Sequence, residues 1–298
     1  NTGEILSMVG KRVEYDAGGK MYLADYSYGT FTTAYEIGST VKGATLLTGY
    51  REGAVTIGTS QIDEPIVLGE NLVKSSIFNR SGRIRMDDLM ALEQSSNVYM
   101  FKIAMTMGGL SYYPYIGIAS LLRDDTLQRL RNGYAQVGLG VPTGVDLPGE
   151  TAGVIGVPDS PGKVLDITIG QFDTYTPLQL VQYVSTIANG GYRVQPRLLK
   201  EIRKPSKDGQ MLGPLVEEIK PKILNRLDNT QDEIDRVREG FRRVYYGARG
   251  TARSNFANTA YTAAGKTGTA EVVYFGPQED RYFTNTINLV HVGFAPFD

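Results

Sequence analysis

Successive parts of the chain alternate apolar and polar positions with different periods, and each period predicts an element. The opening "GEILSMVGKRVEY" mixes apolar and polar positions, contains β-branched residues and ends at the turn "DAGGK", so it predicts a strand. A helix is predicted from Ser39 to about Thr48, with Gly49 as its stop. Two more helices are predicted over 86–94, whose acidic first turn suits the helix dipole, and 97–107.

The second half of the chain alternates helix and strand signals. "TPLQLVQYVSTIANGG" predicts a helix with Thr176 as N-cap, Pro177 at its first position and Gln179 completing a capping box. "EIRKPSKDGQMLGP" predicts a strand that runs into a polar loop, and "DEIDRVREGFRRVYYGARG" an amphipathic helix. "YTAAGKTGTAEVVYF" and "TNTINLVHVGFAPF", joined by "GPQEDR", predict neighbouring antiparallel strands. This order predicts an α+β domain whose sheet collects segments from both ends of the chain.

Composition excludes several classes of function. The 298 residues carry a formal net charge of −1, so no basic excess suggests nucleic acid as a partner. With no cysteine and His291 as the single histidine, the chain can form neither disulfides nor a thiolate or multi-histidine metal site. The uncharged run 103–122 is interrupted by glycine and proline, which predicts a buried helix and a loop rather than a membrane span.

Ser39 and Lys42 form an S-x-x-K pair at the start of a predicted helix. For an isolated match, a capping serine and a solvated lysine are the ordinary interpretation. However, residues three apart share a helix face, so the lysine nitrogen can reach the serine oxygen. A desolvated lysine, or one near a second cation, has a lowered pKa and can take the proton of the serine.

Two further short motifs carry candidate chemistry. Ser95 and Asn97 lie between two predicted helices, where turn residues are common, but a hydroxyl and an amide there could relay a proton and bind a substrate amide. On a late strand, "KTGT" offers the charge of Lys266 and the hydroxyls of Thr267 and Thr269 to a carboxylate. Glycine in a strand, as at Gly268, often marks close approach of another backbone or a ligand.

These motifs together resemble the transpeptidase domain of penicillin-binding proteins, most of all the monofunctional class B members. The resemblance extends over nearly the whole chain: "GEILSMVG" resembles the first sheet strand, "YEIGSTVKGAT" the nucleophile helix, "LEQSSNVYM" the second motif and "GKTGTAE" the third. It implies an antiparallel sheet flanked by helices with an all-helical subdomain, as in serine β-lactamases. It also implies that residues 1–298 are one domain, incomplete at both ends, lacking a membrane anchor before it and a strand and helix after it.

The resemblance also implies an activity, the cross-linking of peptidoglycan stem peptides by acyl transfer, with β-lactam antibiotics as inhibitors. Ser39 would be the nucleophile and Lys42 its base, while Ser95 and Lys266 would pass a proton to the leaving amine. The substrate amide would bind Asn97. The backbone N–H groups of Ser39 and Thr269 would form the oxyanion hole, and Thr267, Gly268, Thr269 and Gln171 are expected along the substrate cleft.

The same resemblance gives expectations about cofactor, location and partners. No metal or organic cofactor is expected. The intact protein would act at the outer face of the bacterial cytoplasmic membrane, anchored by a segment outside this chain. Its expected partners are a cell-wall glycosyltransferase or proteins of the divisome or elongasome.

Alternative functions remain open from the residues alone. A β-lactam hydrolase would need a carboxylate to activate water, for which Glu150 in "DLPGE" is the candidate. A sensor that is acylated without turnover is the other alternative. A triad based on His291 is set aside, because the serine elbow spacing G-x-S-x-G is missing around Ser39 and a histidine in an apolar strand is ordinarily structural.

Overall fold

The computed structural model describes residues 2–69, 72–122, 125–206, 212–274 and 284–297. Its α-helices are α1 (Gly29–Thr32), α2 (Lys42–Arg51), α3 (Asp88–Glu93), α4 (Asn97–Met107), α5 (Thr126–Gln136), α6 (Pro161–Ile167), α7 (Pro177–Ala188), α8 (Gln231–Tyr246) and α9 (Arg253–Phe256). Its strands are β1 (Lys11–Tyr15), β2 (Met21–Asp25), β3 (Gln61–Asp63), β4 (Ile66–Gly69), β5 (Leu72–Lys74), β6 (Ile84–Met86), β7 (Tyr192–Val194), β8 (Glu201–Arg203), β9 (Leu215–Glu218), β10 (Ile223–Arg226), β11 (Ala264–Val273) and β12 (Asn285–Phe294).

Helices α2 and α4 form the centre of the hydrophobic core. Every residue from Lys42 to Tyr50 is buried, because α4, α5 and α8 surround α2. Helix α4 is apolar on most of its circumference, which suits a helix enclosed on all sides. The predicted helices over 86–94 and 97–107 are confirmed, and side-chain N-caps fix where α3 and α4 begin. The core therefore fixes the two segments that carry Lys42 and Asn97.

Strands β11 and β12 form the antiparallel pair predicted from their apolar runs. Lys266 pairs with Val292 and Thr269 with Leu289, and α8 packs against β11. The predicted turn "GPQEDR" lies at 276–281, outside the described residues. Within the described ranges, β12 pairs with β11 alone. The predicted α+β class is confirmed, and strand β11 is the element that presents the third motif.

Two sequence-based boundaries were wrong. The segment "GEILSMVG" forms no regular strand with β11 or β12; Glu4 makes one parallel bridge to Arg197, and the sequence after it pairs as the β1–β2 hairpin. The helix predicted from Ser39 starts as a 3-10 turn over Gly38–Val41 and continues as α2 to Arg51, past Gly49. A helix glycine is tolerated there because the chain packs closely around it.

Other predicted elements agree with the structure. Helices α7 and α8 begin with reciprocal capping boxes, Thr176 with Gln179 and Thr230 with Glu233. The run after Lys200 forms β8, which pairs with β9. Among the residues that the structure describes, no helix is long and apolar enough to cross a bilayer.

Candidate active site

The turn that carries Ser39 is built by close approach of three backbones. Gly38 has φ of +53° and donates its N–H to the carbonyl of Gly170 (2.9 Å). A Cβ at Gly38 would lie 2.4 Å from the carbonyl oxygen of Thr269, and one at Gly170 would lie 2.3 Å from that of Gly38. Only glycine fits these positions, so the sequence around Ser39 allows β11 and the 167–176 segment to meet at the Ser39 turn.

Ser39 does not cap a helix, which removes the ordinary interpretation of its position. The turn is entered at Ile37 without a side-chain cap, and no hydrogen bond joins the Ser39 hydroxyl to another described residue. Its side chain is partly exposed. The hydroxyl is therefore available to a substrate.

Lys42 is fully buried and donates hydrogen bonds to the second motif. Its Nζ lies 2.7 Å from the carbonyl oxygen of Ser95, 3.1 Å from the Ser95 hydroxyl and 2.7 Å from Oδ1 of Asn97. The sequence indicated that this nitrogen can reach the Ser39 oxygen, and no hydrogen bond joins the two among the described residues. The amine is buried away from water and donates to the carbonyl and amide oxygens that face it, because an unpaired buried donor costs free energy.

Lys266 reaches the same hydroxyl from β11. Its fully buried Nζ lies 3.0 Å from Oγ of Ser95 and 3.0 Å from the carbonyl oxygen of Thr267. Ser95 adopts φ of +59°, a left-handed conformation that is strained for a residue other than glycine. The α3–α4 junction therefore holds a strained serine between two lysines, an arrangement typical of functional sites.

Both lysines have lowered pKa values. Burial lowers the pKa of Lys266 from 10.5 to about 7. Burial, and then the charge of Lys266, lower the pKa of Lys42 well below 10.5, while the carboxylate of Asp63 acts in the opposite direction. A lysine amine without its proton is a base, so the site can hold a proton acceptor near neutral pH.

The edge of β11 presents backbone groups to the Ser39 turn. With its amide oriented to satisfy both groups, Gln171 accepts from the N–H of Glu271 (2.8 Å) and donates to its carbonyl (3.2 Å). Alternate residues of a strand point their backbone groups to the same edge, so those of Thr269 also face away from β12. This orientation suits the Thr269 N–H for an oxyanion.

The remaining residues of the third motif lie on the two faces of β11, with Thr267 and Thr269 on one face and Gly268 on the other. The Thr267 hydroxyl is hydrogen-bonded to that of Thr251 (2.7 Å), and Thr269 is exposed. A Cβ at Gly268 would lie 2.5 Å from the carbonyl oxygen of Ile37. Gly268 thus lets β11 approach the Ser39 turn, the close backbone approach that a strand glycine often marks, while its expected place along the substrate cleft stays a prediction.

Comparison with known proteins agrees with this geometry. The model of the penicillin binding protein transpeptidase domain matches residues 1–298. The chain belongs to this family. Penicillin-binding protein H of Bacillus subtilis is 45% identical over 297 residues, which are 99% of this chain and 40% of that protein. The peptidoglycan D,D-transpeptidase MrdA of Haemophilus influenzae is 28% identical over 89% of this chain and 40% of its own length.

A solved structure of penicillin-binding protein 2B from Streptococcus pneumoniae is also similar. It superposes with a TM-score of 0.88 at 32% identity, covering 99% of this chain and 47% of that one. The chain thus spans less than half the length of these relatives. The predicted fold of the transpeptidase family is confirmed over the described residues.

Glu150, the candidate base of a β-lactam hydrolase, and His291, the candidate for a catalytic triad, both have structural partners in this transpeptidase domain. Glu150 accepts from the backbone N–H of Thr143 (2.6 Å) and of Gly144 (3.1 Å), and also from the Thr143 hydroxyl. His291 bonds to the hydroxyl of Tyr245 (2.5 Å) and stacks on aromatic rings. Burial and the charge of Lys266 lower the pKa of His291. Among the described residues, neither side chain forms a hydrogen bond with Ser39.

A cavity of about 850 Å³ runs along β12 and α7, apart from the motif residues. It is lined largely by apolar side chains and contains none of Ser39, Lys42, Ser95 or Lys266. The two lysines remain the candidate active site because acid–base chemistry requires ionisable groups, and these converge there.

Sequence reasoning missed two residues next to the site. Asp63 is a single buried acid on β3, and Thr251 lies in the loop after α8. Neither belongs to a motif, and each reaches the site through contacts between distant parts of the chain. Spacing in the sequence therefore carried no signal for them.

Proposed function

We propose that this domain is a D,D-transpeptidase that cross-links peptidoglycan stem peptides through a covalent ester on Ser39 and is acylated there by β-lactam antibiotics. The observation that carries this proposal is the convergence of Lys42 and Lys266, both with lowered pKa, on the hydroxyl of Ser95. The family match and the name of the Haemophilus influenzae relative, a peptidoglycan D,D-transpeptidase, support the same reaction.

In the first half-reaction, the Ser39 oxygen attacks the carbonyl of the penultimate D-Ala while Lys42 accepts the hydroxyl proton. A neutral amine has two N–H donors and a lone pair. In Lys42 the two donors would serve the Ser95 carbonyl and Asn97 Oδ1, which leaves the lone pair for the proton. Collapse of the tetrahedral intermediate breaks the peptide bond and leaves the ester on Ser39.

The departing D-Ala nitrogen needs a proton, and the second motif can supply one. The Ser95 hydroxyl lies within hydrogen-bond distance of both lysines, so it can pass a proton from Lys266 or Lys42 to the leaving amine. Asn97 would bind the substrate amide through its Nδ2, which now donates to the carbonyl of Ser75 (3.2 Å). In the second half-reaction the amine of a neighbouring stem peptide attacks the ester, and its proton returns by the same groups.

Charge that develops on the substrate would be met by backbone donors and hydroxyls. The N–H groups of Ser39 and Thr269 form the proposed oxyanion hole, a contribution typically worth about 10²–10³ in rate per donor. The hydroxyls of Thr267 and Thr269, with the charge of Lys266 behind them, are proposed to bind the terminal carboxylate. The mechanism requires no metal or organic cofactor.

The proposed substrate also determines a location and a class of partner. Peptidoglycan is assembled outside the bacterial cytoplasmic membrane, so we place the full-length protein at its outer face. Cross-linking consumes glycan strands that a glycosyltransferase must supply, and we therefore propose such an enzyme, or the divisome or elongasome that contains it, as the partner.

One experiment tests the proposal directly. The protein is exposed to a labelled penicillin and digested, and its peptides are analysed by mass spectrometry. We expect one adduct per chain on the peptide that contains Ser39. An intact protein without an adduct, or with one on another residue, would contradict the proposed function.

A further inference from the structure

A buried carboxylate that belongs to none of the three motifs lies beneath the second one. Asp63, at the end of β3, is 1% exposed and accepts hydrogen bonds from Ser76 Oγ (2.6 Å), Ser96 Oγ (2.5 Å) and Asn79 Nδ2 (2.8 Å). Among the described residues it forms no ion pair within 4.0 Å. Burial of a charge among neutral donors is expensive, so its presence here points to a role beyond packing.

The partners of Asp63 lead directly to the residues of the second motif. Ser76 Oγ accepts from the backbone N–H of Asn97 (3.0 Å) and of Val98 (3.3 Å). Ser96 caps α4 by accepting from the N–H of Tyr99 (3.0 Å). Through these two serines the carboxylate holds the first turn of α4, where a negative charge also interacts favourably with the helix dipole. Asn97 is the first residue of that turn.

The carboxylate also acts on the lysine pair through its charge. The ionisable groups that influence Lys42 are Lys266 of β11, which disfavours its protonated form, and Asp63, which favours it. The α3–α4 junction adds the uncharged side chains of Ser95 and Asn97. On its other side Asp63 faces Lys102 of α4, whose Nζ donates to the carbonyl of Ile62 (2.7 Å).

We propose that Asp63 is a positioning residue for the acylation step, which anchors Asn97 through Ser76 and Ser96 and supplies a buried negative charge beneath the second motif. The inference rests on the proposed acyl transfer to Ser39. It adds a residue that acts through Asn97 and Lys42 without touching substrate. Without it, Lys42 would face the charge of Lys266 with no opposing negative charge, and Lys42 would lose its proton more readily.

The test compares Asp63→Asn with Asp88→Asn. Asp88 serves as the control because it is also buried and accepts from a hydroxyl (Tyr50, 2.5 Å) and a backbone N–H (Gly58, 2.9 Å), while it does not influence Lys42. Unlike Asp63, it forms an ion pair, with Arg236 (2.6 Å). The second-order rate constant for acylation by a penicillin is measured from pH 5 to pH 10, with the melting temperature of each protein.

Loss of the Asp63 charge lowers the pKa of Lys42 further, so its neutral form persists to lower pH. We expect the acidic limb of the Asp63→Asn profile to move down by about one pH unit, and its plateau to fall about tenfold as Asn97 loosens. Asp88→Asn should lower the melting temperature and leave the midpoint of the acidic limb of the pH–rate profile unchanged. An Asp63→Asn midpoint equal to that of the wild type would overturn the inference. Failure of the wild type to be acylated would contradict the proposed function instead.

Ser76→Ala provides a second test that keeps the charge. It removes the hydrogen bonds that link Asp63 to the N–H of Asn97. The plateau of the acylation rate constant should therefore fall several-fold, while the midpoint of its acidic limb stays at the wild-type pH. Should Asp63→Asn fail to fold, an undiminished plateau in Ser76→Ala would refute the anchoring role.

Discussion

Lys42 and Lys266 share one hydroxyl: their Nζ atoms lie 3.1 and 3.0 Å from Oγ of Ser95, and both are fully buried. Two ammonium groups so placed repel each other in a medium that screens them poorly. The pair therefore releases a proton far more readily than a lysine in water, so that the site contains a base and a proton donor at the same pH.

The first prediction concerns the pH dependence of acylation. Acylation requires a neutral lysine beside Ser39, and the pKa of Lys266 is lowered to about 7 while that of Lys42 lies well below 10.5. Because the pKa of Lys42 is lowered well below 10.5, the rate constant should rise with pH and level off before pH 10. Stopped-flow acylation from pH 5 to pH 10 measures this profile, and a rate that keeps rising tenfold per unit to pH 10 would show that the lysines titrate normally.

The second prediction concerns the nucleophile and its base. Ser39→Ala should abolish the penicillin adduct without changing the circular dichroism spectrum, because the Ser39 hydroxyl has no partner within the described structure. Lys42→Ala should lose several orders of magnitude in acylation rate, since a neutral hydroxyl near pH 7 is a poor nucleophile without a base. The exposed Ser7 offers a control, and Ser7→Ala should be acylated like the wild type. An undiminished rate in Lys42→Ala would show that another group is the base.

The third prediction concerns stability. Because the folded protein lowers the pKa of Lys266 from 10.5 to about 7, the unfolded chain binds more protons between these values, and stability should rise with pH across that window. Lys266→Met removes the buried charge and should raise the melting temperature by several degrees at pH 6. The gain in melting temperature of Lys266→Met over the wild type should shrink as pH rises from about 7 towards 10.5. Thermal melts at pH 6, 8 and 10 test this, and a gain that is the same at all three would contradict it.

Much of the site could be predicted from sequence because its motifs are local. Ser39 and Lys42 share a helical turn, and Ser95 and Asn97 share a helix junction, so short-range geometry fixes each pair. The capping boxes of α7 and α8 can also be predicted from local sequence, since the cap and its partner are three residues apart.

The parts that the sequence could not predict depend on contacts between distant residues. Lys42 donates to Ser95 and Asn97, which are more than fifty positions away in the sequence. Asp63 reaches Asn97 only through Ser76, and the strand expected at "GEILSMVG" depends on partners that local periodicity does not name. Pairing across a fold is determined by the whole chain, so a local pattern cannot specify it.

The fourth prediction concerns Gln171, which the structure places on the backbone of Glu271. Its two hydrogen bonds fix the strand edge two residues beyond Thr269, and we expect Gln171→Ala to loosen the Thr269 N–H and slow acylation about tenfold with little change in penicillin affinity. Hydrogen exchange at the Glu271 amide should quicken in the same variant. Gln128→Ala, at an exposed glutamine of α5, serves as the control. Unchanged exchange at Glu271 would show that the contact is not formed in solution.

The last prediction separates a transpeptidase from a β-lactam hydrolase, which form the same ester on Ser39. They differ in the second half-reaction, where a hydrolase must place and deprotonate a water within about 3 Å of the ester carbonyl. Glu150 was the sequence candidate, but its oxygens accept from Thr143 and Gly144. We therefore expect the penicillin adduct to persist for minutes to hours, with the same lifetime in Glu150→Gln. Mass spectrometry over time measures it, and turnover near the order of 10 per second that Glu150→Gln abolishes would establish the hydrolase.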